Sequence, residues 1–598
     1  MGNEVYICCK DWLEGNPFPA SLNNTNVVLI PKKGDAASMK DYRPIALCNV
    51  LYKIMAKVLA NRLKVVLPAL ISENQSAFVP DRNITDNVVV AFEVIHHMRN
   101  KTGGQEGEIA LKLDVSKAYD RVNWKYLQSR MVSLGFCKQW IDWVMRCVTM
   151  VSYDFCFNGV SIGPIIPRRG LRQGDPIFPY LFLFCVECLS NALDVAASSG
   201  QISGCRISLN APVITHLLFV DDSFLFFKAN RDEVIRVKNL LAHYADSSGQ
   251  AINFQKSGIF FSSNVRRDKQ LEFSNLLGVY NDISTSNYLG LPSLIGRSKK
   301  RVFAFLKEKI KKRIQAWGAK PISRACKTVL LKSVAQSIPS YCMSYFLLPK
   351  TLCQEIEIMF TNYWRKSDTN QRKGINCHSW GSMSMSKAKG GLGFRSLFGF
   401  NIALLGKHVW RCISNPQLLV SRVLRARYFP STSILDASKG RNSSFIWKGI
   451  WQAKESLKNG FRWVVGDGND FIIVKDQWLR AKHDFRVDDL VIYEGRDEKV
   501  STLFLSGSKV WDVGKVQSLF SVVDAFAILE IRVPDHVASD RIAWSNSKDG
   551  KYDVKSGYRL WHDCNMEAVV PSQSTGWSRI WRLNLPHKMK VFVAIICQ

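Results

Sequence analysis

The sequence predicts an α+β fold built on a split β-α-β sheet with helices on one face. Three observations predict it. Short apolar runs of strand composition lie at residues 109–113, 217–227 and 252–262. Helical spacing of apolar residues fills the intervals, over about 122–134, 179–197 and 232–245. Of the 598 residues, 47% are apolar and 22% charged, an ordinary globular balance that excludes disorder as the main state. Strands separated by helices that return to one sheet give the split arrangement.

Taken in order, residues 27–30 form a short apolar strand before Pro31-Lys32-Lys33-Gly34, and residues 50–67 form a helix ended by Pro68. KTGGQEG at 101–107 is flexible by composition and marks the first boundary. The strand at 109–113 follows, then a helix stopped by Gly135. In RGLRQGDPIFPYLF, residues 169–182, Gly170 and Gly174 permit close backbone approach, Gln173 can hydrogen-bond a sugar or base edge, and Pro176 starts a helix. The hairpin at 217–227, a helix and the strands at 252–262 complete the sheet. Residues 297–332 carry thirteen basic side chains and one acid, Glu308, while Val302, Phe305, Leu306, Ile310, Ile314 and Trp317 recur on one helical face. Farther on, residues 461–465, a Gly-Asp-Gly-Asn turn and 471–474 read as a β-hairpin.

Charge narrows the partner. Lysine and arginine number 81 against 50 acids, a surplus of 31 that points to an extended polyanion, nucleic acid first. The apolar stretch 177–186 is broken by Pro179 and closed by Glu187, too short to span a bilayer, so no membrane partner is expected. The start, MGNEVYICCKDW, lacks the pattern of a secretory signal or a myristoylation site. Sixteen cysteines scattered through apolar runs suit reduced core residues of a nuclear or cytoplasmic protein, and Cys185 with Cys188, lacking a second pair, suits a core helix rather than zinc. Seventeen tryptophans, gathered mostly after residue 317, suggest aromatic packing or base stacking.

The chemistry rests on acids. FVDD at 219–222, between HLL and SFLFF, sets Asp221 and Asp222 side by side at a hairpin tip. Alone this is an ordinary turn composition; with a third carboxylate it becomes a platform for hard cations. Asp114, at the end of LKLD, supplies it from a strand that lies beside the hairpin, although Asp114 could also cap a helix, as could Asp120 or Asn123. Two divalent ions about 4 Å apart can brace an in-line phosphoryl displacement, which is nucleotidyl transfer chemistry.

LKLDVSKAYDRVNW, RGLRQGDPIFPYLF, HLLFVDDSFLFF and SGQAINFQKSGIFFS, in this order, resemble motifs A to D of reverse transcriptases. With DYRPIALCNVLYKIMAKVLANRL and QSAFVPDRNITDN before them, and YLGLPSLIGR, GGLGFRSLFGFNIALLGKHVWR and WSRIWRLNLPHKMKVF after, nearly the whole chain resembles the polyprotein of plant LINE-type non-LTR retrotransposons. The resemblance implies a right-hand polymerase: fingers at 1–108, a palm at 109–265, a basic helical thumb at 266–365, a connection region at 366–500, and a zinc-binding associated domain at 501–598. The region after the thumb would be mixed α/β and rich in tryptophan. It implies an RNA-directed DNA polymerase using two Mg²⁺ ions, an RNA template, a DNA primer and deoxynucleoside triphosphates, with nuclear residence. The alternative is an inactive element copy that keeps only nucleic-acid binding.

By resemblance Asp114, Asp221 and Asp222 hold metal, with the Val115 carbonyl as an extra ligand. Tyr119 is the steric gate against a ribose 2′-hydroxyl, Gln173 and Gly174 touch the incoming nucleotide, and Arg43 and Lys32 grip its triphosphate. Lys256 sits near the leaving pyrophosphate, while Lys299, Lys300, Arg301, Lys307, Lys311, Lys312 and Arg313 follow the duplex phosphates. Three departures stand out: FVDD for the usual FADD, with Val220 expected to suit a strand; Ile177-Phe178 for Leu-Ser, with Phe178 expected to crowd the nucleotide; and Cys326 for glycine. The family's endonuclease is not matched upstream, and the likeness to its zinc segment stops short of the Cys/His cluster. The expectation is therefore a chain without target nicking and without bound zinc.

Overall fold

Among the described residues of 1–294, nine strands form two sheets around helices whose apolar faces the sequence marks, and Asn287–Tyr288 pairs with Leu291–Pro292 as a separate two-stranded ribbon. The strands are β1 (Asn24–Pro31), β2 (Tyr42–Leu47), β3 (Glu108–Leu113), β4 (Ser152–Phe157), β5 (Val160–Ile165), β6 (His216–Phe219), β7 (Asp222–Lys228), β8 (Gly258–Phe261) and β9 (Asn281–Asp282). The helices are α1 (Gly2–Leu13), α2 (Val50–Leu70), α3 (Ile84–Asn100), α4 (Ala118–Arg121), α5 (Trp124–Ser133), α6 (Lys138–Thr149), α7 (Phe178–Ser198), α8 (Arg231–Ser248) and α9 (Arg267–Leu277). This computed structural model describes all residues except 1, 15, 17–19, 284–286, 297, 319, 321, 366–378, 480–485, 488–497, 535–537, 567–576, 587–588, 591–592 and 594–598. Arg297, at the start of the basic stretch 297–332, and much of the HKMKVF segment lie outside the described residues. The chain divides into two units, residues 1–294 with 418–427, and 295–417 with 428–598.

The larger sheet has the order β6-β7-β3-β8-β9. Since β7 is antiparallel to both β3 and β6, the strands β3 and β6 run parallel with β7 between them, which is the split arrangement expected. Ile109, Leu111 and Leu113 of β3 are fully buried against Leu189 and Leu193 of α7 and Val234, Val237 and Leu241 of α8. The other half of α7, Leu181 to Val186, packs with Leu59 and Leu63 of α2 and Leu127 and Met131 of α5. One helix thus serves two cores. Its 21 residues are long and apolar enough to cross a membrane, unlike the short broken run read from sequence, yet most of them are buried inside this unit. A core helix meets the same length criterion, and Cys185 and Cys188 lie on it.

Several boundaries differ from expectation for local reasons. Helix α2 runs through Pro68 to Leu70, because a proline in the last turn forfeits only one intrahelical bond. The helix expected at 122–134 starts at Trp124, where the Asn123 side chain accepts from the Lys125 N–H at 3.0 Å and caps it. The strand run at 252–262 shortens to an isolated bridge at Ile252 and β8. Val220 lies in no strand: it sits in the two-residue β6–β7 turn at φ 57°, a left-handed conformation that a β-branched residue adopts only under strain. The smaller sheet, β2-β1-β4-β5, joins strands from both sides of β3 in sequence.

In the second unit, helix Leu397–Ser414 packs against helices Lys350–Arg365, Phe445–Leu457 and Val554–Met566. The hairpin expected at 461–474 does not form. Strand Phe461–Val464 pairs instead with Arg541–Trp544, and the Asp540 carboxylate accepts from the Gly466, Gly468 and Asp470 N–H groups at 2.6, 2.9 and 2.9 Å. Those three bonds tie the turn to the distant strand. Trp447, Trp478 and Trp544 are fully buried, so these tryptophans serve packing rather than base stacking. In the basic helix Ala304–Gly318, Phe303 just before it and Leu306 and Ile310 face the core, whereas Phe305 is exposed.

Arg172 rivets the first unit. Its guanidinium, buried beneath the glycine loop, donates to Asn23 Oδ1 (2.6 Å), Thr25 Oγ1 (3.0 Å) and the Cys147 carbonyl (3.0 Å), and pairs with Asp175 Oδ2 at 3.0 Å. It lies 4.2 Å over the Tyr52 ring, and the Tyr52 hydroxyl donates to the same carboxylate at 2.7 Å. Replacing Arg172 by Met strands the Asp175 charge in the core. Urea unfolding should show a loss of about 3–5 kcal/mol with an unchanged m-value; a loss below about 1 kcal/mol would mean that the rivet is dispensable.

Candidate active site

Register places the carboxylates. Leu113 of β3 faces Ser223 of β7, so one step farther along the same ladder Asp114 faces Asp222, and opposed side chains share one face with Cβ atoms about 5 Å apart. Phe219 pairs with Asp222, leaving Val220 and Asp221 as the turn itself. The three acids therefore meet at the C-terminal end of β3 and the tip of one hairpin, with Asp222 opening β7 rather than sitting in the turn.

The loop after the Ile252 bridge secures this corner. The Ser116 N–H donates to the Ala251 carbonyl (2.8 Å), the Asn253 N–H to the Asp114 carbonyl (2.8 Å), and the Asp114 N–H to Ser257 Oγ (3.1 Å). This pattern makes Val115 and Ile252 the non-hydrogen-bonded pair, so the Val115 carbonyl turns away from that ladder. Lys256 lies in the same loop with an exposed side chain; its N–H is spent on Asn253, and it does not line the cleft below.

Electrostatics mark the acids as strained neighbours. Burial raises the Asp221 carboxyl above its ordinary range, and the Asp114 charge raises it further against the opposing pull of Arg43. Burial likewise raises Asp222; Lys112 opposes the shift, while Asp221 and Asp114 add to it. Hard oxygen donors that push one another toward protonation fit a divalent cation, whose charge turns the mutual penalty into attraction.

Beside them opens a cleft of about 500 Å³, lined by Lys32, Arg43, Val115, Tyr119, Gln173 and Asp221 among others. Six residues predicted from sequence are thereby brought to one surface. Arg43 and Lys32 come from the smaller sheet; Lys32 Nζ also donates to the Lys40 carbonyl at 3.0 Å. Tyr119 stacks on Phe182 with ring centroids 4.7 Å apart, and burial and Asp221 push its phenol up. Gly174 has a different place: its φ is 111°, a Cβ there would meet the Ala46 carbonyl at 2.9 Å, and the preceding Gln173 carbonyl accepts from Ala46 N–H. It seats the loop on β2. Phe178 does not crowd the cleft, because it is buried under Arg172, 5.1 Å from the guanidinium.

Asp120 and Arg169 are among the lining residues that escaped the sequence reading. Asp120, weighed only as a cap, faces the cleft, where burial raises its carboxyl and Lys117 and Lys32 lower it. Arg169 joins the cationic wall from the glycine loop. In the second unit, Lys299, Arg301, Lys311, Lys312 and Arg313 are exposed as expected. Lys300 and Lys307 are instead bridged to Glu355 at 2.5 and 2.7 Å, and those bonds pull its carboxyl down to about 2. A second acidic group, Asp467, Asp470 and Asp540, has carboxylate oxygens within 4.8 Å of one another, but Asp540 is occupied in holding its own loop.

The region that holds this cleft is similar in sequence to known proteins. Residues 30–292 match the family model described as reverse transcriptase (RNA-dependent DNA polymerase). An uncharacterized mitochondrial protein of Arabidopsis thaliana is 40% identical over 144 residues, 24% of this chain and 93% of that one. The Pol polyprotein of the R2DM element of Drosophila melanogaster is 29% identical over 211 residues, 35% of this chain and 18% of that one. The 149 kDa protein of transposon TX1 of Xenopus laevis is 29% identical over 273 residues, 45% and 20% respectively. The chain spans half or less of the length of the long curated relatives. A telomerase structure from Candida tropicalis aligns with 43% of this chain and 55% of its own, at 16% identity and a TM-score of 0.30. With its reverse transcriptase domain and its retrotransposon relatives, the chain belongs to the reverse transcriptase family as the polymerase region of a LINE-type non-LTR element.

Proposed function

We propose that this chain extends a DNA 3′-hydroxyl on an RNA template, as an RNA-directed DNA polymerase. The observation that carries the reading is the convergence of Asp114, Asp221 and Asp222 beside a cleft that Lys32, Arg43 and Arg169 also line. Strands β3, β6, β7 and β8 with α7 and α8 act as the palm, over residues 109–265. Residues 1–108, with β4 and β5 completing their sheet, act as the fingers, and the basic helices from 266 to 365 act as the thumb. Residues 366–500 form the connection and 501–598 the associated domain. Nuclear residence goes with this reading.

Reverse transcriptases use divalent cations; here the three aspartates and the Val115 carbonyl are the groups that would hold them, and Mg²⁺ is the ion we assign. Bound there, the ions supply charge for activating the attacking hydroxyl and steadying the leaving oxygen. Arg43 and Lys32 bind and orient the triphosphate from the opposite sheet. The Tyr119 ring, held flat on Phe182, fills the space a ribose 2′-hydroxyl would need. Gln173 touches the sugar or base edge, on a loop whose backbone is fixed by Gly174 and Arg172. Lys256, exposed on the loop that secures Asp114, is the residue we assign to the departing pyrophosphate. Lys299, Arg301, Lys311, Lys312 and Arg313 follow the duplex phosphates without reading sequence.

Primer extension tests the function. A labelled DNA primer on an RNA template should lengthen with Mg²⁺ and deoxynucleotides, and Asp222→Asn should lower the rate by a thousandfold or more, on the order of 4 kcal/mol in barrier. Absent extension with retained duplex binding would favour the inactive copy. A second prediction follows from the raised carboxyls. Each binds more protons folded than unfolded, so the metal-free chain loses stability as pH rises through their folded pKa and regains it as pH falls. Mg²⁺ or Mn²⁺ should therefore raise Tm most near pH 8, with the gain shrinking toward pH 5; a metal-induced shift independent of pH contradicts it.

A further inference from the structure

The second unit holds a pocket of about 530 Å³ that no polymerase role absorbs. Its wall comes from two stretches far apart in sequence, 384–407 and the helix Val554–Met566. Arg395, Lys407, Lys555 and Arg559 line it with exposed cationic side chains. Asp563 is the single acid in the lining, and Lys389 already faces it at 3.6 Å. The cationic character extends behind the wall: burial, Lys387 and Arg395 push the Lys332 ammonium down to about 8.

Aromatic surface adjoins this charge. Phe394, Phe400 and Tyr558 line the same pocket. Arg395 lies 4.6 Å over the Phe400 ring, and the Tyr558 hydroxyl accepts from the Ser396 N–H at 2.9 Å, which fixes the tyrosine in place. The Arg395 backbone is pinned as well, its carbonyl accepting from Gln336 Nε2 at 3.0 Å and Trp380 Nε1 at 3.3 Å. At the base sits His562, 8% exposed, with Nε2 lacking a hydrogen-bond partner. A buried ring nitrogen left unbonded in a polar pocket is costly unless a ligand completes it.

We propose that this pocket binds a nucleoside phosphate, its phosphate held by Arg395, Lys407, Lys555 and Arg559 and its base laid against Phe400 or Tyr558. The volume suits one nucleotide, and a cationic rim with an aromatic wall is the combination that binds single-stranded nucleic acid without reading sequence. The same chemistry serves a free nucleotide, so the two sources are separated by experiment. The proposal extends the nucleic-acid reading of the chain but uses none of its polymerase residues.

The test uses the full chain with a fluorescent ten-nucleotide single-stranded RNA and, separately, AMP. Each is measured with wild type, Lys407→Ala/Arg559→Ala and Asp222→Asn, with circular dichroism as the folding control. Lysine acetylation read by mass spectrometry reports whether Lys407 and Lys555 become protected. The expected result is protection of both lysines by the RNA, about tenfold weaker RNA binding by the double variant, and a salt dependence lowered by about two phosphate contacts. Asp222→Asn should bind like wild type, so a dead polymerase centre leaves this result standing. Protection by AMP but not by RNA assigns the site to free nucleotides. Unprotected lysines, or a folded double variant with unchanged affinity for both probes, would overturn the proposal.

Discussion

Three negative charges pressed into one corner are the constraint on which the rest of this structure depends. A chain gains nothing in stability from carrying Asp114, Asp221 and Asp222 together, since burial and mutual repulsion raise the carboxyls of the last two. The convergence is nonetheless imposed firmly. The β3–β7 register sets Asp114 opposite Asp222, and a slip of one residue would move one of them to the other face of the sheet. Val220 is held at φ 57° to turn Asp221 beside them, a strained conformation for a β-branched residue that the surrounding hairpin must sustain.

The same corner explains how the neighbouring elements are spent. Helix α7 supports the sheet with one half and the core of α2 and α5 with the other, so the carboxylates and the cleft share a rigid base. Arg172 joins the glycine loop to the strand region around Asn23 and Thr25, and the Gln173 carbonyl, accepting from the Ala46 N–H, ties the same loop to the strand that carries Arg43. A buried arginine costs desolvation, and here two side-chain acceptors, a carbonyl, a carboxylate and an aromatic face offset it.

Much of this was legible in the sequence, and the reasons are physical. Apolar runs around Asp114 and around Asp221-Asp222 fix strands, and strands with acids at their ends bring those acids to one edge whatever lies between. What stayed hidden depended on distant partners. Residues 461–474 have hairpin composition, but 541–544 supplies the better strand and Asp540 captures the turn. Val220 looks like a strand residue until the hairpin register places it in the turn. Phe178 looks obstructive until Arg172, six residues before it, proves to cover its ring. Lys300 and Lys307 look like free phosphate contacts until the fold brings Glu355 beneath them. Local pattern reveals which residues carry charge, and only the tertiary partner decides whether that charge is already answered.

The central claim is that the three aspartates act as one cation-binding unit assembled from two strands. A double-mutant cycle of Mn²⁺ affinity, read by electron paramagnetic resonance on wild type, Asp114→Asn, Asp222→Asn and the double variant, tests it most directly. The account predicts that each single change weakens binding by about tenfold or more, near 1.4 kcal/mol, and that the double change costs clearly less than their sum. Unaltered Mn²⁺ affinity in a folded Asp114→Asn chain would contradict it.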